Sequence, residues 1–112
     1  MGGGAKYFGE RSAAGCKVYV RHGRKWVPLH LQPNLAKYSP AGFEWGSMSS
    51  GAAKLALSIL AEHLKNQARA LELFEDFEFK VVSRLDRNQW LLTVEEIDSA
   101  IREIDRGQKG AA

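Results

Sequence analysis

The apolar residues of this 112-residue chain change their spacing once, near residue 46, and that change constrains the fold more than any single motif. Ahead of it, Cys16-Lys17-Val18-Tyr19-Val20-Arg21 alternates in the manner of a half-buried strand, and its Val and Tyr side chains suit a pleated surface. Arg21 to Lys25 is a short turn, with Gly23 free to take a positive φ. Trp26-Val27-Pro28-Leu29-His30 reads as the returning strand, at an edge because Pro28 has no amide to donate. Ala5 to Gly9 is a weaker first strand. Behind residue 46 the period becomes helical. Ser50 to Lys65 carries Ala53, Leu57, Leu60 and Leu64 on one face, widened by Ala56 and Ile59. A second helix is expected from Gln67 to Leu85, with Ala70, Phe74, Phe77, Val81 and Leu85 as its stripe. Asn88-Gln89-Trp90 breaks that pattern.

Thr93-Val94-Glu95-Glu96 then has the form of a capping box, in which Thr93 caps the Glu96 amide and Glu96 reaches back. It opens a third helix with Val94, Ile97, Ile101 and Ile104 as its seam and Gly107 as its stop. Strands followed by helices predict an α+β fold: a small N-terminal antiparallel β-sheet, a hairpin or three strands, packed against three α-helices. With 45% hydrophobic and 26% charged residues, one domain over residues 5–106 is expected, with flexible ends at 1–4 and 107–112. Residues 31–46 connect the sheet to the first helix, punctuated by Pro33, Pro40, Gly42 and Gly46.

Several function classes fall away at this level. No apolar run approaches the roughly 20 residues of a membrane span. Cys16 is the single cysteine, so neither an intrachain disulfide nor a cysteine-rich zinc site can form. A soluble protein of the cytoplasm is expected, with no membrane partner. His22, His30 and His63 lack the spacing of a metal site, and no cofactor is implied. Cys16 reads as a small buried hydrophobe rather than a nucleophile. No catalytic constellation is present, so the expectation is a protein that is not an enzyme.

The charge is unevenly placed. Residues 1–46 hold seven Lys/Arg against two Glu, a net +5, whereas residues 47–112 hold nine against eleven, a net −2. Lys17, Arg21, Arg24 and Lys25 form a candidate basic surface for an anionic partner such as nucleic acid. They also suit exposed strands that must resist edge pairing. A base-stacking surface would need aromatics alternating outward, and only Tyr7 and Tyr19 fit that pattern. Trp26, Trp45 and Trp90 read as core. Glu72, Glu75, Asp76 and Glu78 read as a solvated helix face.

The most informative local feature is Gly46-Ser47-Met48-Ser49-Ser50-Gly51, just ahead of the first long helix. A helix start offers unpaired amides and a positive dipole end, and small residues allow close approach. Ser47, Ser49, Ser50 and Gly51 could thus hold a phosphate or nucleotide, with Phe43 or Trp45 stacking on it. The same residues read as an ordinary serine cap after a glycine turn.

The run Phe43-Glu44-Trp45-Gly46, continued by Ser50-Gly51-Ala52-Ala53-Lys54-Leu55-Ala56-Leu57, resembles the "domain of unknown function 6166" family of small bacterial, phage and plasmid proteins. Lys6 to Arg11, Phe79-Lys80, Trp90 to Thr93 and Glu95 to Ile97 extend the likeness over nearly the whole chain. Ser47-Met48-Ser49 replaces a glycine-richer loop, and Ala52 stands where the family has Pro. The resemblance implies a setting of mobile elements and accessory genes, but no activity. It favours a small non-enzymatic binding protein, monomer or homodimer, docking on a protein or nucleoprotein complex, with a phage or plasmid counter-defence inhibitor as the sharpest form. A nucleotide or phosphate binder at Ser47–Gly51 and a nucleic-acid binder through the basic half are the alternatives.

Overall fold

The computed structural model describes residues 4–29 and 42–110, with side chains through residue 107. The expected end of the returning strand at His30, and most of the 31–46 connection, lie outside the described residues. Strands β1 (Ala5–Ser12), β2 (Gly15–His22) and β3 (Lys25–Pro28) form an antiparallel meander. Helices α1 (Ser50–Leu64) and α2 (Gln67–Lys80) follow. The chain then returns to the sheet as β4 (Gln89–Thr93) before α3 (Val94–Gly110). The α+β class is as expected, with a fourth strand beyond the three anticipated. The order is β3-β2-β1-β4, which puts β1 in the interior of the sheet.

β4 lies where the sequence shows only a break. Its five residues alternate, with Trp90 and Leu92 buried and Gln89 and Leu91 exposed. So short an alternation, wedged between a turn and a capping box, carries little periodic signal. What fixes the strand is pairing with β1, in the register Gly9 with Trp90 and Tyr7 with Leu92. Gly9 is required here, because a Cβ on it would overlap the Trp90 ring.

α2 stops at Lys80, five residues short of Leu85, and a 3-10 turn over Val82–Arg84 takes its place. β-Branched Val81 and Val82 fit a helix end poorly. The Ser83 hydroxyl also donates to the Phe79 carbonyl at 2.7 Å, competing for a helical acceptor. Leu73 and Phe77 carry the buried stripe of α2, while Phe74 is only partly covered. α3 runs through Gly107 to Gly110, since a single glycine costs a helix only about 1 kcal/mol and no proline follows it. Its capping box forms as expected: the Glu96 amide donates to Thr93 Oγ1 at 3.1 Å, and the Thr93 amide to Glu96 Oε1 at 2.9 Å.

The core lies between one face of the sheet and α1. Tyr7, Val18, Val20, Trp90 and Leu92 point inward from the strands and meet Leu55, Ile59 and Leu60 of α1, all buried. Each such aliphatic side chain contributes roughly 1.5–3 kcal/mol on leaving water. The Tyr7 hydroxyl lies 3.4 Å from the Ile59 carbonyl, tying the central strand to the helix. Burial pushes its phenol pKa well above the usual value. α2 packs along α1, and α3 lies against α2 and β4. α2 and α3 are linked to each other by Arg69–Asp105 at 2.6 Å, and α3 is linked to α1 by His63–Asp98 at 2.7 Å.

Candidate functional site

Among the described residues, the helices cover one face of the sheet and leave the other without a helix. Strand alternation that buries Tyr7, Val18, Val20, Trp90 and Leu92 sends the intervening residues to the other side. There the register places Phe8 opposite Tyr19 and Leu91, Tyr19 opposite Pro28, and Arg21 opposite Trp26. The Phe8 and Tyr19 rings lie nearly parallel with centroids 6.1 Å apart. Trp26 meets Phe8 edge-on at 6.2 Å. This cluster faces solvent: Trp26 keeps 41% of its surface and Leu91 59%.

Basic groups border the rings. The Arg21 guanidinium lies 5.9 Å from the Trp26 ring, and the Lys6 ammonium donates to the Arg21 carbonyl at 2.9 Å. Lys17 is exposed on the same face, opposite Glu10. Of the four expected basic residues, Lys17 and Arg21 thus join the aromatic cluster. Arg24 sits at the tip of the turn. Lys25 pairs with His22, whose ring reaches Glu62 of α1 on the helical side.

Two aromatic assignments change. Tyr7 points into the core, not outward. Trp26 belongs to the surface, whereas Trp45 and Trp90 are core residues packed edge to face at 5.5 Å. Phe8 and Leu91 were missed, because Tyr7-Phe8 and Leu91-Leu92 are adjacent apolar pairs that do not show which member faces in. Only the pairing of β4 with β1 resolves them.

The Ser47–Gly51 loop is built as a cap. Ser49 is the N-cap of α1, its hydroxyl accepting from the Ala52 amide at 3.1 Å. The Ser49 amide donates to Glu78 Oε2 at 3.0 Å, so a carboxylate of the chain itself occupies the helix start. Glu78 is buried and separates from the solvated Glu72, Glu75 and Asp76 with which its sequence position groups it. Trp45, a candidate to stack on such a ligand, is instead 1% exposed, and its indole donates to the Arg87 carbonyl at 3.0 Å. It has no free face to stack on a nucleotide. Ser47 and Ser50 are exposed, Phe43 is half-buried, and Gly51 is buried.

The Phe43-Glu44-Trp45-Gly46 run acts as a clasp. Glu44 takes both terminal nitrogens of Arg11, at 2.5 and 3.2 Å, and its Oε1 accepts the Trp45 amide at 3.0 Å. Arg11 Nε donates to the Arg87 carbonyl at 2.8 Å. Gly46, at φ +83°, turns the chain so that its amide reaches the Val82 carbonyl at 3.0 Å. β1, the end of α2 and the approach to α1 are joined at this point. Hydrogen bonding from Arg11 holds the Glu44 carboxyl below its usual pKa. Burial, then the Glu44 charge, push the Cys16 thiol up, and its Sγ lies 3.7 Å from Glu44. A cavity of about 610 Å³ opens beside this clasp, lined by Arg11, Cys16, Phe43, Glu44, Ser50 and Gly51. Among the described residues, no three His, Cys, Asp or Glu side chains gather as a metal site.

No curated protein and no solved structure matches the chain. The model of a family of unknown function, DUF6166, matches residues 7–103. That span takes in the clasp, α1, α2, the first part of α3 and the Phe8, Tyr19 and Trp26 rings of the open face, and on it the chain belongs to the family of unknown function DUF6166.

Proposed function

We propose that this chain is a small non-catalytic binding protein whose working surface is the open face of its sheet, docking there on an anionic protein or nucleoprotein assembly in the bacterial cytoplasm. One observation carries the reading: Phe8 packs against both Tyr19 and Trp26 on the solvent side of the sheet, with Lys17 and Arg21 beside them. Apolar groups that fold to the outside in a contiguous patch mark interaction sites more often than they serve stability. Basic groups around aromatic ones match an anionic partner that also has flat apolar faces.

The alternatives have less support. At the Ser49 amide a phosphate would compete with Glu78 and meet its charge. A raised thiol pKa makes Cys16 a poor nucleophile. A lone thiol suits a reducing compartment, and no helix among the described residues is long and apolar enough to cross a membrane. Retention on immobilised heparin tests the surface assignment. The doubly reversed Lys17→Glu, Arg21→Glu protein is expected to elute at markedly lower salt than the wild type. Equal elution would remove the open face from the account.

A further inference from the structure

We infer that the open face binds single-stranded nucleic acid, with unpaired bases stacked on Phe8, Tyr19 and Trp26 and phosphates led past Arg21, Lys6 and Lys17. This rests on the reading of that face as the working surface and names its ligand.

Geometry separates a single strand from a duplex. The three rings come from three neighbouring strands, and the Phe8 ring stands between the other two, its centroid 6.1 Å from that of Tyr19 and 6.2 Å from that of Trp26. Stacked nucleotides rise by only about 3.4 Å per step. Bases seated on neighbouring rings must therefore be pulled apart from each other, which a flexible single strand allows and a paired duplex does not. In a duplex the flat faces of the bases are hidden, and a broad pleated sheet laid on its outside would press aromatic rings against phosphates. Ring-on-base stacking needs splayed bases with exposed π-faces.

The charges fall in rows that suit a strand crossing the sheet. Lys6, Arg21 and Trp26 occupy one end; Phe8, Tyr19, Pro28 and Leu91 the middle; Glu10, Lys17 and Gln89 the other end. Glu10 is the acid among the described residues of this face, and it lies opposite Lys17, away from the Trp26 end. The Trp26 end is thus positively charged without opposition. Arg21 is placed both to support Trp26 and to meet a phosphate. An acidic peptide is a weaker match. The middle of a sheet face offers no free backbone groups to pair with it, and its carboxylates would leave the rings uncovered.

Trp26 supplies a probe. Trp45 and Trp90 are 1% and 6% exposed, so a change in tryptophan emission on adding ligand reports Trp26. The intact protein is titrated with an oligothymidylate of about a dozen nucleotides, within the site sizes of single-strand-binding domains. The same length of duplex and polyglutamate are titrated in parallel. The single strand is expected to change the emission, and the duplex to bind more weakly. In anisotropy titrations, Trp26→Ala and Tyr19→Ala are each expected to weaken single-strand binding by about 5- to 150-fold. Lys17→Glu is expected to weaken it and flatten its salt dependence. Leu91→Glu changes an exposed side chain on β4, which spares the core, and is expected to abolish binding by placing a carboxylate beside the rings. Tight binding of duplex or heparin that the aromatic variants leave unchanged would overturn the single-strand assignment and leave the basic working surface standing. Binding of polyglutamate in place of the oligonucleotide would do the same. Failure to bind any of these polyanions would overturn both.

Discussion

The Glu78 carboxylate accepts a hydrogen bond from the Ser49 amide at 3.0 Å, across 29 residues of sequence. The chain thereby provides its own anion for the start of α1. A buried carboxylate is normally costly, but here it faces unpaired helix amides and the positive end of the helix dipole. What the local sequence offers to a phosphate, the fold has given to Glu78.

Glu78→Ala is accordingly expected to lower stability by about 0.5–1.5 kcal/mol, the range for losing one intramolecular hydrogen bond at a partly covered amide. Glu78→Gln keeps an acceptor oxygen at the same place and is expected to lose less. Urea denaturation of the two variants checks the order. Equal stability of Glu78→Ala and wild type would mean that the amide is satisfied without the carboxylate.

The clasp at Glu44 gives a pH signature. Its carboxyl pKa is lowered in the folded chain, first by the hydrogen bond from Arg11, from an ordinary value of 4.5. A carboxyl with a lower folded pKa stabilises the fold above its unfolded pKa and stops doing so as pH falls through the folded value. Wild type should therefore lead Glu44→Gln in urea midpoint near neutral pH, and the lead should shrink below pH of about 4. Both partners are more than a third exposed, so solvent screening makes the difference small. A lead that persists unchanged into acid would assign the role of Glu44 to packing rather than charge.

Gly9 tests the fourth strand. A Cβ on this residue would meet the Trp90 ring, which is itself packed on Trp45. Gly9→Ala is expected to destabilise by about 1–3 kcal/mol, the range for forcing extra volume into a packed core. Thermal unfolding reads this directly. A melting temperature equal to wild type would contradict the pairing of β4 with β1.

The legible parts of this fold were those with a local cause. Thr93 and Glu96 announce their helix because both partners of the box lie within one turn. Val18 and Val20 announce β2 because their neighbours alternate. The illegible parts depend on distant partners. Gln89 to Thr93 becomes a strand by meeting β1, about 80 residues earlier in the chain. Glu78 looks like one more acid on a solvated helix until α1 turns its start toward it. Phe8 and Tyr7 are neighbours of similar character, and only the sheet decides that one is core and the other surface. The basic residues Lys17 and Arg21 could be chosen from sequence, but the rings that give them a purpose could not.

The central claim is that the open face of the sheet is where this protein works. Amide chemical-shift mapping with a single-stranded oligothymidylate tests it most directly. The shifts are expected to gather at Phe8, Tyr19, Arg21, Trp26 and Leu91 and to leave α2 unmoved. Shifts gathered on the exposed Leu71 and Phe79 of α2, or at Ser49 to Gly51, with the sheet face silent, would contradict it.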